Sequence, residues 1–391
     1  MSIMGSRKIY LDNSATTKVD KEVADVVYKI MTEGYGNPSS LHGLGVTAED
    51  NITKVRSFLM KALKASQGEL IFTSGGTEAN NLAIRGVAYR ENRQGNHLIT
   101  TEVEHPSVLE VFNSLEDQGY QVTYLPVDHK GIIDLYQLQQ AVNDDTILVS
   151  IQAVNNETGT IQPVKEAAKL VKDVSHKPVF HCDAVQAVGK IELAPEDWGI
   201  DLLTVSAHKF HGPKGVGSLY ISPRTRLKPL FYGGGQEQDL RPGTENVPGI
   251  TGMGKALEKM LKNREQFKEL YSLKKHLYDK ITLKLGNEVM LIGPEIQEGV
   301  PYIMSLAFSG VKAEVMIHAL EKRGVYVSAG SACTSNKEGE SHVLKAMKIP
   351  DDFREGTIRL SFSYHHTMDE IDYAADQVIG VYQELKQYGR R

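Results

Sequence analysis

Between residues 69 and 221 short, β-rich apolar runs alternate with longer segments in which apolar positions recur every three or four residues. The short runs, at 70–73, 97–100, 122–125, 147–151, 179–182, 202–205 and 216–221, are bounded by polar or glycine-containing stretches and read as strands. Between them Ala79, Leu82, Ala83, Gly86 and Val87 share one helical face, as do Val164, Ala167, Ala168 and Val171. Each such stripe needs a sheet to bury against. Strands alternating with amphipathic helices predict an α/β domain on a mainly parallel sheet.

After Gly233, Gly234 and Gly235 the texture changes to a longer helical region near residues 250–285, rich in Lys and Glu, and a domain boundary is expected there. A smaller α+β unit follows, with a strand near 305–308 and a helix from Ala313 to about Lys322. The last helix opens at Thr367-Met-Asp-Glu370, a capping-box sequence, and Ile371, Ala374, Ala375, Val378 and Tyr382 continue its apolar stripe. Internal repeats and low-complexity tracts are absent from the sequence.

A chain of 391 residues supports a large core, and its 41% hydrophobic and 24% charged content excludes collagen-like, coiled-coil and disordered classes. Forty-four basic against forty-nine acidic residues leave a formal charge of −5, so the surface as a whole has no electrostatic reason to bind nucleic acid or membrane. A small substrate or a protein partner fits better. The sequence has no stretch near the roughly 18 apolar residues of a membrane span, and no signal-peptide pattern at its start, so a cytoplasmic location is expected. Two cysteines, Cys182 and Cys333, are too few for a disulfide framework or a four-thiolate zinc site. Any thiol chemistry falls to one of them.

Ligands of open parallel sheets bind beyond the carboxyl ends of the strands, and polar residues gather just after five of the predicted strands. The clusters are Ser74-Gly-Gly-Thr77, His105, Asn155-Asn-Glu157, Asp183 to Gln186, and Ser206-Ala-His-Lys209. In the first, Gly75 and Gly76 permit a tight turn and a helix opening at Thr77 offers N–H groups to an anion, although a plain glycine turn capped by Thr77 explains the same residues. It is no nucleotide P-loop, lacking Gly-Lys-Ser/Thr. Gly212, Gly215 and Gly217 precede a strand and open no helix, which disfavours NAD.

His105 before Pro106 suits a helix cap. Lys209 offers an amine for an imine with a carbonyl cofactor, and Asp183 offers the carboxylate such a cofactor needs at its pyridine nitrogen. Reading His181, Asp183, His208 and His211 as metal ligands is the weaker alternative, and no metal is expected. Strand alternation turns Cys182 away from Asp183, so Cys182 reads as a packed core residue. Cys333 lies in Ser328-Ala-Gly-Ser-Ala-Cys-Thr-Ser335, a run of small residues without periodicity that reads as a loop, where a thiol is a liability unless it reacts. Arg359, in a strand-like run, suits a substrate carboxylate or equally a structural ion pair.

Together these residues resemble the cysteine desulfurases of the NifS/IscS-like branch of the class V aminotransferase family. The resemblance runs over nearly the whole chain through Tyr10-Leu-Asp-Asn-Ser-Ala-Thr-Thr17, Gly36-Asn-Pro-Ser-Ser-Leu-His42, Thr73-Ser-Gly-Gly-Thr-Glu-Ala-Asn80, Glu104-His105, Asn155-Asn-Glu157, Asp183-Ala-Val-Gln186, His208-Lys209, Arg241-Pro-Gly-Thr-Glu-Asn246 and Ser331-Ala-Cys-Thr-Ser335. It implies the type I fold of pyridoxal-phosphate (PLP) transferases, with a large domain over 18–257 and a small one from 1–17 and 258–391. It implies pyridoxal 5'-phosphate as cofactor, Lys209 as the Schiff-base lysine, Asp183 at the ring nitrogen, His105 stacked on the ring and Gln186 at the phenolic oxygen. Gly76, Thr77, Ser206 and His208 surround the phosphate, Thr244 joins them from a second subunit of a homodimer, and Asn156 and Arg359 hold the substrate, L-cysteine. Cys333 corresponds to the residue that becomes a persulfide.

Lys337, Glu338 and Glu340 after Cys333, and an end at Gln387-Tyr-Gly-Arg-Arg391 without an obvious scaffold-docking tail, depart from the pattern of the iron-sulfur branch. The acceptor is therefore open among iron-sulfur clusters, transfer-RNA thiolation and thiamin synthesis. The competing functions are a selenocysteine lyase or aminotransferase of the same fold and a non-enzymatic sulfur-carrier scaffold.

Overall fold

The computed structural model describes residues 7–330 and 341–388. After a short β1 (Ile9–Tyr10), seven strands form the main sheet: β2 (Glu69–Thr73), β3 (His97–Thr101), β4 (Gln121–Leu125), β5 (Thr146–Ser150), β6 (Val179–Asp183), β7 (Leu202–Ser206) and β8 (Gly217–Ile221). Their order is β2-β8-β7-β6-β5-β3-β4. β7, β6, β5, β3 and β4 run parallel, whereas β8 is antiparallel to both β2 and β7. The exception follows from chain length, because the segment 207–216 between β7 and β8 is too short for a helical crossover, which takes about a dozen residues.

Neighbouring residues of each strand enter separate cores. Ile71, Leu98, Leu148 and Leu202 pack with the helices Gly76–Glu91 and Pro106–Glu116, while Phe72, Ile99, Val149, Leu203 and Cys182 join the opposite core with the helix Val164–Lys172. Burial on both faces is why these strands read as continuous apolar runs instead of alternating ones.

Two long helices, Val247–Lys262 and Arg264–Leu285, lead to the second sheet. It is built from β9 (Val289–Ile292), β10 (Ile303–Phe308), β12 (Ser328–Ala329) and β13 (Thr357–Ser361), in the order β12-β13-β10-β9, all antiparallel. The intervening β11 (Val325–Tyr326) pairs with β1 in parallel. The helix Met368–Tyr388 opens as the capping box foresaw. The Thr367 N–H donates to Glu370 Oε2 at 2.9 Å, and the Glu370 N–H to Thr367 Oγ1 at 3.3 Å.

The segment after β1 crosses between the two sheets. Asn13 Nδ2 donates to the Ser361 carbonyl at 2.9 Å, Ser14 Oγ to the Asn156 carbonyl at 2.7 Å, and the Thr17 N–H to the His208 carbonyl at 2.9 Å. Backbone from the start of the chain is thereby held against the carboxyl ends of the main-sheet strands.

Gly75 precedes the first sheet-packing helix at φ +154°, a region L side chains rarely adopt, and β8 passes directly beneath it. A Cβ on Gly217 would lie 2.6 Å from the Val205 carbonyl oxygen and 2.8 Å from Gly75 Cα, all of it backbone. We therefore expect Gly217→Ala to destabilise the fold by about 1–3 kcal/mol through overpacking. The denaturant midpoint measures this, and an unchanged midpoint would show that the Gly75 turn yields without cost.

Candidate active site

The polar clusters after β2, β3, β5, β6 and β7 meet in one cavity of about 360 Å³. Gly76, Thr77, His105, Asn156 and Asp183 line it. So do Gln186, Ser206, His208, Lys209 and Arg359. Strand geometry delivers all but Arg359, since main-sheet strands running in one direction place their following residues along one edge, whereas Arg359 comes from β13 of the second sheet.

Asp183 is the last residue of β6, where its Oδ1 accepts the Val185 N–H at 3.0 Å and its Oδ2 accepts from Asn80 Nδ2 at 2.8 Å. Lys209 closes the 3₁₀ turn Ala207–Lys209 after β7, and its Nζ donates to the carbonyls of Ser14 at 2.6 Å and Ala15 at 2.8 Å. His105 is the N-cap of the helix Pro106–Glu116, with Nδ1 accepting the Ser107 N–H at 3.1 Å. Its imidazole is pushed below the ordinary histidine value, first by burial. His208 sits with Nδ1 3.2 Å from Thr16 Oγ1 and is pushed down to about 3 by burial and by the Lys209 charge.

Arg359 forms the structural ion pair and also borders the cavity. Nη2 reaches Asp12 Oδ1 at 2.9 Å and Ser328 Oγ at 2.7 Å, Nη1 donates to the Asn156 carbonyl at 3.0 Å, and the side chain still lines the cavity. The glycine turn has no threonine cap: the helix starts at Gly76, and no side chain caps it at Gly75. Thr244 is exposed and lines a separate hollow with Ser74 and Arg241, so within one chain it stands apart from the others. Cys333 lies outside the described residues.

Cys182 is fully buried in the core behind the site, and burial pushes its thiol well up. His181 is no ligand candidate, because its two ring nitrogens lie against the hydroxyls of Ser150 at 2.8 Å and Thr204 at 3.0 Å. Residue types alone did not single out four further lining residues, Ser14, Asn80, Ser107 and His342. Ser14 and Asn80 stand inside sequence motifs already noted. His342, whose Nε2 is 2.9 Å from the Glu104 carbonyl oxygen, has no local signal.

The Aminotransferase class-V family model matches residues 9–374. The chain is 42% identical over 381 residues to the cysteine desulfurase IscS of Dictyoglomus turgidum, covering 97% of this chain and 96% of that one. It is 41% identical to the cysteine desulfurase IscS of Clostridium botulinum over 373 residues, covering 95% and 93%. A solved NifS-like protein superposes with a TM-score of 0.90 at 38% identity, covering 97% of this chain and all of that one. The chain belongs to the class V aminotransferase family, whose enzymes depend on pyridoxal phosphate.

The residues present fit that cofactor. Gln186 Oε1 and Asn80 Oδ1 are buried with no hydrogen-bond partner among the described residues, as expected where a polar group is to be received. An amine, a carboxylate and a helix N-terminus border the same space.

Directly before His105, Glu104 is wholly buried. Its Oε1 accepts from the Gln152 N–H at 3.0 Å and Thr101 Oγ1 at 2.8 Å. Burial, with the nearby Asp183 charge, pushes its carboxyl up to about 8, so it carries a proton at neutral pH and adds no second negative charge to the site. A folded-state value above the unfolded one means the folded protein holds this proton more tightly. The resulting stabilisation is complete below the unfolded value of 4.5 and is lost as pH rises through about 8. Glu104→Gln should remove that component, so its urea midpoint should fall less between pH 5 and 8 than that of the parent. Parallel pH profiles for the two proteins would contradict a buried neutral Glu104.

Proposed function

We propose that this chain is a cysteine desulfurase that moves the sulfur of L-cysteine onto Cys333, leaves L-alanine, and passes the persulfide sulfur to an acceptor thiol. The observation that carries this reading is the meeting of Lys209, Asp183 and His105 at one cavity, in a chain about 42% identical to named cysteine desulfurases. Bound there, pyridoxal phosphate supplies an electron sink for a carbanion beside a nitrogen.

Each residue has a task in that reading. With the cofactor held there, Asp183 would keep its pyridine nitrogen protonated and Gln186 would meet its phenolic oxygen. Thr77, Ser206, His208 and the N–H groups at Gly76 receive the phosphate. Arg359, fixed by Asp12 and Ser328, presents its fork to the substrate carboxylate with Asn156 beside it. Lys209 takes the Cα proton. Its amine is already oriented by two backbone carbonyls, which limits the reorganisation needed. The Cys333 thiolate then bonds to the substrate sulfur, the substrate's carbon–sulfur bond breaks, and its electron pair stays with the three-carbon fragment, which takes up protons and leaves as alanine. An ordinary thiol near pKa 8.5 is only a minor part thiolate at neutral pH, so a donor near the sulfur promotes ionisation.

The two sheets support a division into a large domain over 18–257 and a small one from 1–17 and 258–391, with the cavity at their seam. A homodimer accounts for the position of Thr244, which is exposed in a hollow separate from its own chain's cavity, and for exposed apolar residues along 28–46 and at 231–232. Among them Leu41 is 98% exposed and Tyr232 78%. Among the described residues no helix is long and apolar enough to cross a membrane, and a cytoplasmic location agrees with that. The acceptor is a protein thiol serving iron-sulfur cluster assembly, transfer-RNA thiolation or thiamin synthesis.

Two variants test the chemistry together. Lys209→Ala should lose the visible absorbance of the protein–cofactor adduct. Cys333→Ala should keep that colour and its response to cysteine but release no alanine above background. Alanine at the parent rate from Cys333→Ala would end the nucleophile assignment, and keto-acid formation would point to an aminotransferase. For the dimer, Leu41→Glu should shift sedimentation toward the monomer at micromolar concentration. A monomeric parent protein would refute the shared site.

A further inference from the structure

Asn80 is completely buried, and its amide nitrogen has two neighbours, Asp183 Oδ2 at 2.8 Å and Ser107 Oγ at 2.9 Å. A carboxylate only accepts, so Asn80 turns its NH₂ toward Asp183; the opposite orientation would set Oδ1 against that oxygen. One amide hydrogen goes to Asp183 and the other to Ser107.

The Ser107 hydroxyl, already accepting from Asn80, has its own hydrogen left for its other neighbour, His105 Nδ1, at 2.8 Å. The same Nδ1 receives the backbone N–H of Ser107 at 3.1 Å. A ring nitrogen that accepts two donors cannot also carry a hydrogen, so in the neutral ring the hydrogen resides on Nε2.

We propose that Asn80 and Ser107 are positioning residues that hold His105 as the neutral Nε2–H tautomer, so that the ring offers the cavity a fixed hydrogen-bond donor and carries no proton between reacting atoms. The consequence for turnover rests on the reading of the cavity as a cofactor and substrate site. The chain of bonds itself contains protein atoms only. Of the charged groups facing the ring, Asp183 favours its protonation, whereas Lys209, His342 and Arg359 oppose it. Charging the ring would force a hydrogen at Nδ1 against the Ser107 N–H, breaking that contact, and would require the Ser107 hydroxyl to turn its own hydrogen away. A fixed donor at Nε2 favours a thiolate beside it without taking its proton, and it leaves Lys209 as the base for Cα.

Nitrogen-15 NMR of protein enriched in labelled histidine reads this directly, with His105 assigned by the signal lost in His105→Gln. Between about pH 5.5 and 8.5 the His105 pair should show a protonated Nε2 and a bare, accepting Nδ1, with or without cofactor. Ser107→Ala, which removes a single oxygen, and Asn80→Leu should both move the Nδ1 signal toward that of a free acceptor. Both should raise the pH at which the ring charges by about one unit. A hydrogen on Nδ1, or charging near the ordinary histidine value in the parent protein, would overturn the proposal. An Nδ1 signal indifferent to Asn80→Leu would remove Asn80 from it. Protein that takes up no coloured cofactor but shows the Nε2–H form would sink the cofactor reading and leave this inference standing.

Discussion

A carboxylate buried at the end of a strand must be met by hydrogen-bond donors, and the donors that meet Asp183 organise the rest of the site. The Val185 N–H holds one oxygen and Asn80 the other, from the helix that begins at the Gly75 turn. Through Asn80 the same charge sets the polarity of Ser107 and, one bond further, the hydrogen of His105. The neighbouring Glu104, kept protonated by burial, adds no second charge beside Asp183.

The opposite wall comes from distant parts of the chain. Asp12 and Ser328 fix the Arg359 guanidinium, and that arginine, together with Ser14, holds the Asn156 carbonyl. Ser14 and Ala15 in turn accept from Lys209. The N-terminal segment therefore ties Arg359 to the Lys209 amine across the cavity. Loosening it would displace both side chains together, a coupling expected of a site assembled between two sheets.

The main-sheet strands were legible because burial on both faces leaves uninterrupted apolar runs, and their observed bounds differ from the sequence reading by one or two residues. His105 was legible as a cap because Pro106 suits the first helical turn, and Thr367 because Glu370 follows at the reciprocal spacing. The antiparallel β8 was hidden in a count of connecting residues. Asn80 was hidden in an amphipathic helix, where one polar residue among buried apolar ones carries no periodic signal.

By itself the sequence determined the alternation of strands and helices and the residue types that follow each strand, because these depend on local periodicity and turn chemistry. Tertiary structure alone decided that Ser14 caps Lys209 and that Arg359 is both paired and turned to the cavity. It alone decided that Asn80 faces Asp183 and Ser107 together. These contacts join residues far apart along the chain, and the direction of a hydrogen bond is set by which donor and acceptor finally meet, which no spacing along one segment encodes.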